Sequence, residues 1–272
     1  MVNLSFELKQ VPFPHMIVRD VISDETLKDY LCNNNELTEY MKDRKNLERV
    51  EFYGSKKDAG GRKTFLPDNK FSQTFNDRVS KFLNALKTNR ELSGLIKNTF
   101  TPMFESFYGD FKESFEKSFF TYGAYNGTSV EKNIIGWHLD QGDKLISGFI
   151  YLKEDGDVAD DGHLYLSNGD EQKRIDYENN VMILWPNLPN AWHMAGVRNP
   201  TKHLRRLVNI VYKSDQGDYH NYRTRHSKKV VDAKELYQHK LFGFRGVKYN
   251  ERKEGKVTEK IWNRCKEDEK SV

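Results

Sequence analysis

The hydrophobic period of this chain changes once, near Phe115, and that change limits the folds open to it. Before it, Phe71, Phe75, Val79, Phe82, Leu83 and Leu86 recur at three- and four-residue spacing, lining one face of an amphipathic helix. After it come short apolar or aromatic runs: Phe119 to Tyr125, Leu145 to Leu152, His163 to Leu166, Val181 to Trp185 and Leu207 to Tyr212. Gly, Asp and Asn cluster between them, the pattern of a sandwich or barrel of short strands. Helices first and strands afterwards predict an α+β fold, a jelly-roll core braced on one face by N-terminal helices.

Three stretches follow. Residues 1–95 are read as an N-terminal strand and supporting helices, 96–215 as the jelly-roll core, and 216–272 as a basic C-terminal extension. In the first, Val11–Pro12–Phe13–Pro14–His15 is an extended opening, because proline disfavours helix. Met16 to Val21 reads as a strand. Ser23 caps a helix from Asp24 that carries Leu27, Tyr30 and Leu31, and the run Asn33–Asn34–Asn35 ends it. Tyr53 to Asn69 is polar and Gly-rich, hence loop. In the extension, Asp232 to Phe242 has helical character, and Trp262 needs something to dock on.

Charge divides unevenly along the chain. Gln216 to Val272 holds 15 Lys and Arg against 9 Asp and Glu, whereas the whole chain is only +4, so the body is slightly acidic. That balance does not point to nucleic acid. Two cysteines, Cys32 and Cys265, form no disulfide framework. The opening MVNLSFELKQ lacks a signal-peptide apolar core, and no run reaches the ~18 apolar residues of a membrane span. A cytoplasmic protein away from membranes is expected; its oligomeric state is not encoded in any visible pattern.

The chemistry concentrates in His138–Leu139–Asp140 and His193. Residues two apart on a strand share a face, so His138 and Asp140 are placed to chelate together. Two imidazoles and a carboxylate make the facial triad of non-heme Fe(II), which leaves the opposite coordination positions open. A His-x-Asp pair alone is common. Its surroundings are more specific: a Gly162 turn into His163–Leu164–Tyr165–Leu166, a strand ending Trp185–Pro186, then Ala191–Trp192–His193, then Arg205–Arg206 opening an alternating strand.

In that order the chain resembles the Fe(II)/2-oxoglutarate-dependent dioxygenase superfamily, and within it the prolyl 4-hydroxylase-like branch, from about Phe115 to Tyr212. The resemblance implies His138, Asp140 and His193 as metal ligands. It implies a basic residue on the last strand that grips the far carboxylate of 2-oxoglutarate. Arg206 is preferred to Arg205 for this, because Arg206 and an aromatic six positions on, Tyr212, reproduce the family's strand; a guanidinium holds a carboxylate by two parallel bonds. Tyr151 matches a family tyrosine that reaches the same carboxylate, and Tyr125, in competition with Tyr122, a second. Gly162–His163 departs from the Gly-Gly that the family often has, which gives His163 a structural or substrate-facing place. His203 reads as an exposed turn residue. Trp137 and Trp192 read as packing beside the ligands.

The activity so implied is hydroxylation of a C–H bond, with dioxygen consumed and succinate and carbon dioxide released. Ascorbate joins the candidate cofactors, and a prolyl residue in a peptide or protein is the first candidate substrate, with free amino acids and small metabolites as others. A non-catalytic jelly-roll binding module is the alternative, and a zinc hydrolase a further one. Neither needs an arginine facing the barrel interior.

Overall fold

The computed structural model describes residues 5–42, 49–53, 71–108, 115, 117–125, 135–138, 140, 144–168, 170–188, 191–196 and 203–214. The basic extension 216–272 and nearly all of the loop expected from Tyr53 to Asn69 lie outside them.

The N-terminal part holds more structure than its sequence suggests. Strands β1 (Phe6–Lys9) and β2 (His15–Arg19) pair antiparallel. Helix α1 (Glu25–Asn33) is capped by Asp24 rather than Ser23, its Oδ1 accepting from the Leu27 amide at 3.0 Å. The asparagine run does end α1, but Asn34 then caps α2 (Asn35–Lys42), accepting from the Leu37 amide at 3.0 Å. An asparagine that draws backbone away from one helix is equally suited to start the next. After strand β3 (Arg49–Tyr53), helix α3 (Gln73–Lys87) carries the expected apolar stripe, and Phe75, Val79, Phe82, Leu83 and Leu86 are all buried. Ser72 caps α3 and also donates its amide and hydroxyl to Glu36 of α2, each at 2.7 Å. Helix α4 (Arg90–Tyr108) runs across residue 95 and buries Leu92, Ile96, Phe100 and Phe104, one residue per turn.

Eight strands follow: β4 (Ser118–Tyr125), β5 (Ile135–His138), β6 (Lys144–Leu152), β7 (Leu164–Ser167), β8 (Gln172–Ile175), β9 (Val181–Pro186), β10 (Trp192–Ala195) and β11 (Arg205–Lys213). They divide between a seven-stranded sheet, in the order β1-β2-β9-β6-β11-β4-β3, and a four-stranded sheet, β5-β10-β7-β8. The antiparallel pairs are nested: β7 with β8, β6 with β9, β5 with β10, β4 with β11. The chain thus folds back on itself and alternates between the sheets, which is the double-stranded β-helix, or jelly roll.

Both faces of the large sheet are covered, and two contacts tell them apart. The Trp185 ring of β9 lies 4.9 Å from the His193 ring of β10, so Trp185 faces the small sheet. The Tyr122 hydroxyl of β4 donates to the Leu31 carbonyl of α1 at 2.5 Å, so Tyr122 faces the helices. Cross-strand partners share a face. Register therefore assigns Ser147, Phe149, Tyr151, Ile183, Leu207 and Asn209 to the interior with Trp185. Ile150, Leu152, Arg206, Val208, Ile210 and Tyr212 go to the helix side with Tyr122.

Two residues fit the sheet to its surroundings. A Cβ on Gly148 would lie 2.2 Å from the Ile183 carbonyl oxygen, so β6 and β9 approach too closely there for any side chain. Asn180 (φ 60) turns the chain into β9; its side chain accepts from the Ile22 amide at 2.8 Å and donates to the Ile22 carbonyl at 3.1 Å, pinning the N-terminal segment to the barrel. Asparagine tolerates that left-handed conformation better than most residues. Among the described residues no helix is long and apolar enough to cross a membrane.

Candidate active site

Residues from both sheets meet in the interior. β5 and β10 pair so that His138 and His193 are direct cross-strand partners. The side chain of His138 lies outside the described residues, as do those of Trp137 and Tyr125. β5 ends at His138, so Asp140 follows the strand rather than belonging to it. Its carboxylate is instead held from β6: the Lys144 ammonium donates to Oδ1 and the Ser147 hydroxyl to Oδ2. Oδ2 also lies 3.5 Å from His193 Nε2. Asp140 and His193 are therefore brought together. Among the described residues no third His, Cys, Asp or Glu side chain joins them to form a metal-binding group.

Burial and neighbours set the charge of this pair. Burial opposes ionisation of Asp140, but the His193 imidazole, the Lys144 ammonium and the Ser147 hydroxyl outweigh it and hold the carboxyl well below the ordinary range. Burial pushes His193 below its ordinary value, against the pull of Asp140 and of the Ala191 carbonyl, 3.3 Å from Nδ1. A divalent cation requires an ionised carboxylate and an unprotonated imidazole, and both shifts run in those directions.

The two arginines at the start of β11 go to opposite sides. Arg206 (1% exposed) points into the layer between sheet and helices. There it donates to Glu154 Oε1 at 2.8 and 2.6 Å, to Thr38 Oγ1 at 2.7 Å, to the Asn34 carbonyl at 3.1 Å and to the Tyr122 hydroxyl at 3.4 Å. Nε, Nη1 and Nη2 each bond to the protein itself. Glu154 Oε2 is in turn 3.0 Å from His203 Nδ1, so His203 is a half-buried member of this cluster and not an exposed turn residue. Tyr122 belongs to the same layer and is far from the interior face.

Arg205 is on the interior face. Its guanidinium lies 5.6 Å over the Tyr151 ring and 5.7 Å over the Tyr177 ring, and it donates to the Tyr151 hydroxyl at 3.3 Å. Its Nε is buried without a hydrogen-bond partner among the described residues. Such a donor is costly unless something binds it. Burial raises the Tyr151 phenol despite Arg205 beside it, so it stays protonated. Tyr125 occupies the register position opposite Arg205 on β4. The Tyr177 hydroxyl accepts from the Arg206 amide at 3.2 Å and donates to the Leu152 carbonyl at 3.2 Å, which fixes the end of β11 that carries Arg205. No motif in the sequence marks Tyr177; its role follows from packing alone.

The remaining aromatic and histidine expectations separate as well. Trp185 Nε1 is a second buried donor on the interior face with no partner among the described residues. Trp192 is buried on the other face of β10 from His193, as strand alternation requires. His163 is structural, its Nδ1 accepting from the Tyr177 amide at 3.1 Å.

No family model matches the sequence. No curated protein matches it either. Solved structures are similar at low identity. A prolyl 4-hydroxylase from Phytophthora capsici is 13% identical with a TM-score of 0.45, over 74% of this chain and 59% of that one. A prolyl-4-hydroxylase from Pseudomonas putida is 11% identical with a TM-score of 0.45, over 73% and 92%. A prolyl hydroxylase from Trichoplax adhaerens, bound to a hypoxia inducible factor oxygen degradation domain peptide fragment, is 11% identical with a TM-score of 0.47, over 79% and 87%. The fold itself rests on the nested strand pairs.

Proposed function

We propose that the protein is an Fe(II)- and 2-oxoglutarate-dependent dioxygenase that hydroxylates a substrate C–H bond. The observation that carries this reading is the placement of Arg205. One interior face of a jelly roll holds Asp140 against His193 and, along the same face, a guanidinium with a buried N–H that has no partner among the described residues. A metal at the first and a carboxylate at the second satisfy both. His138, Asp140 and His193 would hold the iron, and Arg205 with the Tyr151 hydroxyl would hold the far carboxylate of 2-oxoglutarate.

Bound iron and co-substrate supply the oxidation, with succinate and carbon dioxide released. The chain's own contribution is orientation and exclusion of water. Asp140 contributes one negative charge, which the Ser147 and Lys144 bonds keep ionised. The Tyr151 hydroxyl accepts from Arg205 and its ring lies under the guanidinium, limiting the rotamers of Arg205 and leaving the phenol proton free to donate to a bound carboxylate. Phe149 and Trp185 pack at 5.5 Å on the same interior face, where their rings exclude water.

Anaerobic titration with Fe(II) and 2-oxoglutarate tests the assignment. A weak visible charge-transfer band is expected in the parent protein and none in His193→Ala. Arg205→Met is expected to need at least about 30-fold more 2-oxoglutarate, the loss of one buried charged contact. A parent protein with no band sinks the reading. A band without substrate-stimulated succinate release, with ascorbate present, leaves only a binding module. The resemblance of the His138 to Arg206 pattern makes prolyl peptides the first substrates to assay, ahead of free amino acids.

A further inference from the structure

Asp140 poses a problem of placement that no strand solves. β5 stops two residues before it, yet its side chain is only 10% exposed and its Oδ2 lies 3.5 Å from His193 Nε2. What fixes it comes from β6, a central strand with β9 on one side and β11 on the other. Ser147 sits inside that strand, opposite Trp185 of β9 and Val211 of β11, and is 4% exposed. Its neighbours in β6 on this face are the rings Phe149 and Tyr151, and burying a hydroxyl among them is unfavourable unless it is bonded. Its bond goes to Oδ2 of Asp140, the oxygen that faces His193. Lys144 takes Oδ1.

We propose that Ser147 is a positioning residue for Asp140, holding the carboxylate so that Oδ2 alone is offered to the metal. A carboxylate oxygen has two lone pairs. The Ser147 hydroxyl uses one on Oδ2 and leaves the other directed to the space beside His193, while Lys144 turns Oδ1 away from it. Asp140 then ligates through one oxygen, which keeps a further coordination position open. The inference rests on the proposed metal site and adds to it the residue that sets the ligand's geometry.

The test is cobalt(II) titration of the full chain without co-substrate, read by visible absorption, for the parent, Ser147→Ala and Ser147→Thr. Cobalt affinity in Ser147→Ala is expected to fall about 10- to 100-fold, the usual loss when a group that orients a metal ligand is removed. Ser147→Thr keeps the hydroxyl and is expected to regain most of that loss, with the parent's absorption band. The unfolding midpoint of each metal-free protein is measured alongside. Parental cobalt affinity in Ser147→Ala overturns the proposal, as does a Thr variant as weak as the Ala variant. A lowered midpoint with unchanged affinity also overturns it, since that is a structural role only. If the parent itself binds no cobalt, the metal site has failed; parental binding with an unaffected Ser147→Ala defeats Ser147 alone.

Discussion

Adjacent arginines with opposite orientations give the sharpest contrast between single residues. Arg206 is in a buried network with Glu154, Thr38, Asn34 and Tyr122, so Arg206→Met leaves the Glu154 carboxylate with His203 alone among the described residues. Breaking one side of a buried ion pair costs on the order of 3 kcal/mol. Denaturant unfolding of Arg206→Met should show that loss, with 2-oxoglutarate affinity per folded molecule little changed. Arg205→Met should do the reverse, keeping the unfolding midpoint and losing the co-substrate. Equal effects of the two variants on binding would show that facing direction does not separate their roles. The sequence makes legible that Arg206, Val208, Ile210 and Tyr212 share a side, and the structure agrees. Which side is interior is not legible. The large sheet is covered by helices on one face and by the small sheet on the other, and the more apolar face of β11, with Val208, Ile210 and Tyr212, is the one against the helices, while the interior face mixes Leu207 and Val211 with Arg205, Asn209 and Lys213. Alternation then fixes pairs of residues but carries no sign.

Most elements visible in the sequence have one apolar face or are buried on both, although α4 and β10, also buried, are not among them. α3, β4, β6, β7, β9 and β11 all fall within a residue or two of their expected limits. β8 escapes because Gln172, Lys173 and Arg174 are exposed and only Ile175 is buried, an edge strand blunted by charge. α2 escapes because its cap is also the breaker of α1. The contact between β6 and β9 leaves no room for a side chain at Gly148. Gly148→Ala must push the Ile183 carbonyl and the Leu184 side chain, 2.5 Å from the added carbon, apart. Overpacking of this kind costs about 1–3 kcal/mol, and a chemical-denaturation midpoint should fall accordingly. The joint of the N-terminal segment is tested by Asn180→Gly, which keeps the φ of 60 and removes only the two bonds to Ile22. Its expected cost is about 2 kcal/mol, because two buried backbone groups lose their partner. A variant as stable as the parent would mean that water or another group replaces the asparagine.

At the scale of the whole molecule, burial of histidine makes stability depend on pH. His15, His163 and His193 are each 5% exposed or less, and burial is the first cause lowering all three from their ordinary value. At His15, Lys9 and Lys173 lower it further, while the Phe13 carbonyl, 2.9 Å from Nδ1, works the other way. The unfolded chain has histidines near pH 6.5. Above that value neither state binds the proton, and the term vanishes. As pH falls through 6.5 the unfolded state takes up protons that the folded state refuses, so folding stability declines by up to about 1.4 kcal/mol per pH unit for each such histidine. Asp140 acts in a separate window: its folded-state value is depressed, so its contribution is present at neutral pH and is lost only below the ordinary carboxylate range. The metal-free protein should therefore melt at a lower temperature at pH 5.5 than at pH 7.5. His15→Gln should shrink the difference, because β2 lies at the far side of β9 from β6 and the residues that hold Asp140. A melting temperature flat across this range would mean that the three imidazoles accept protons without unfolding. An unchanged slope in His15→Gln would place the whole effect on His163 and His193.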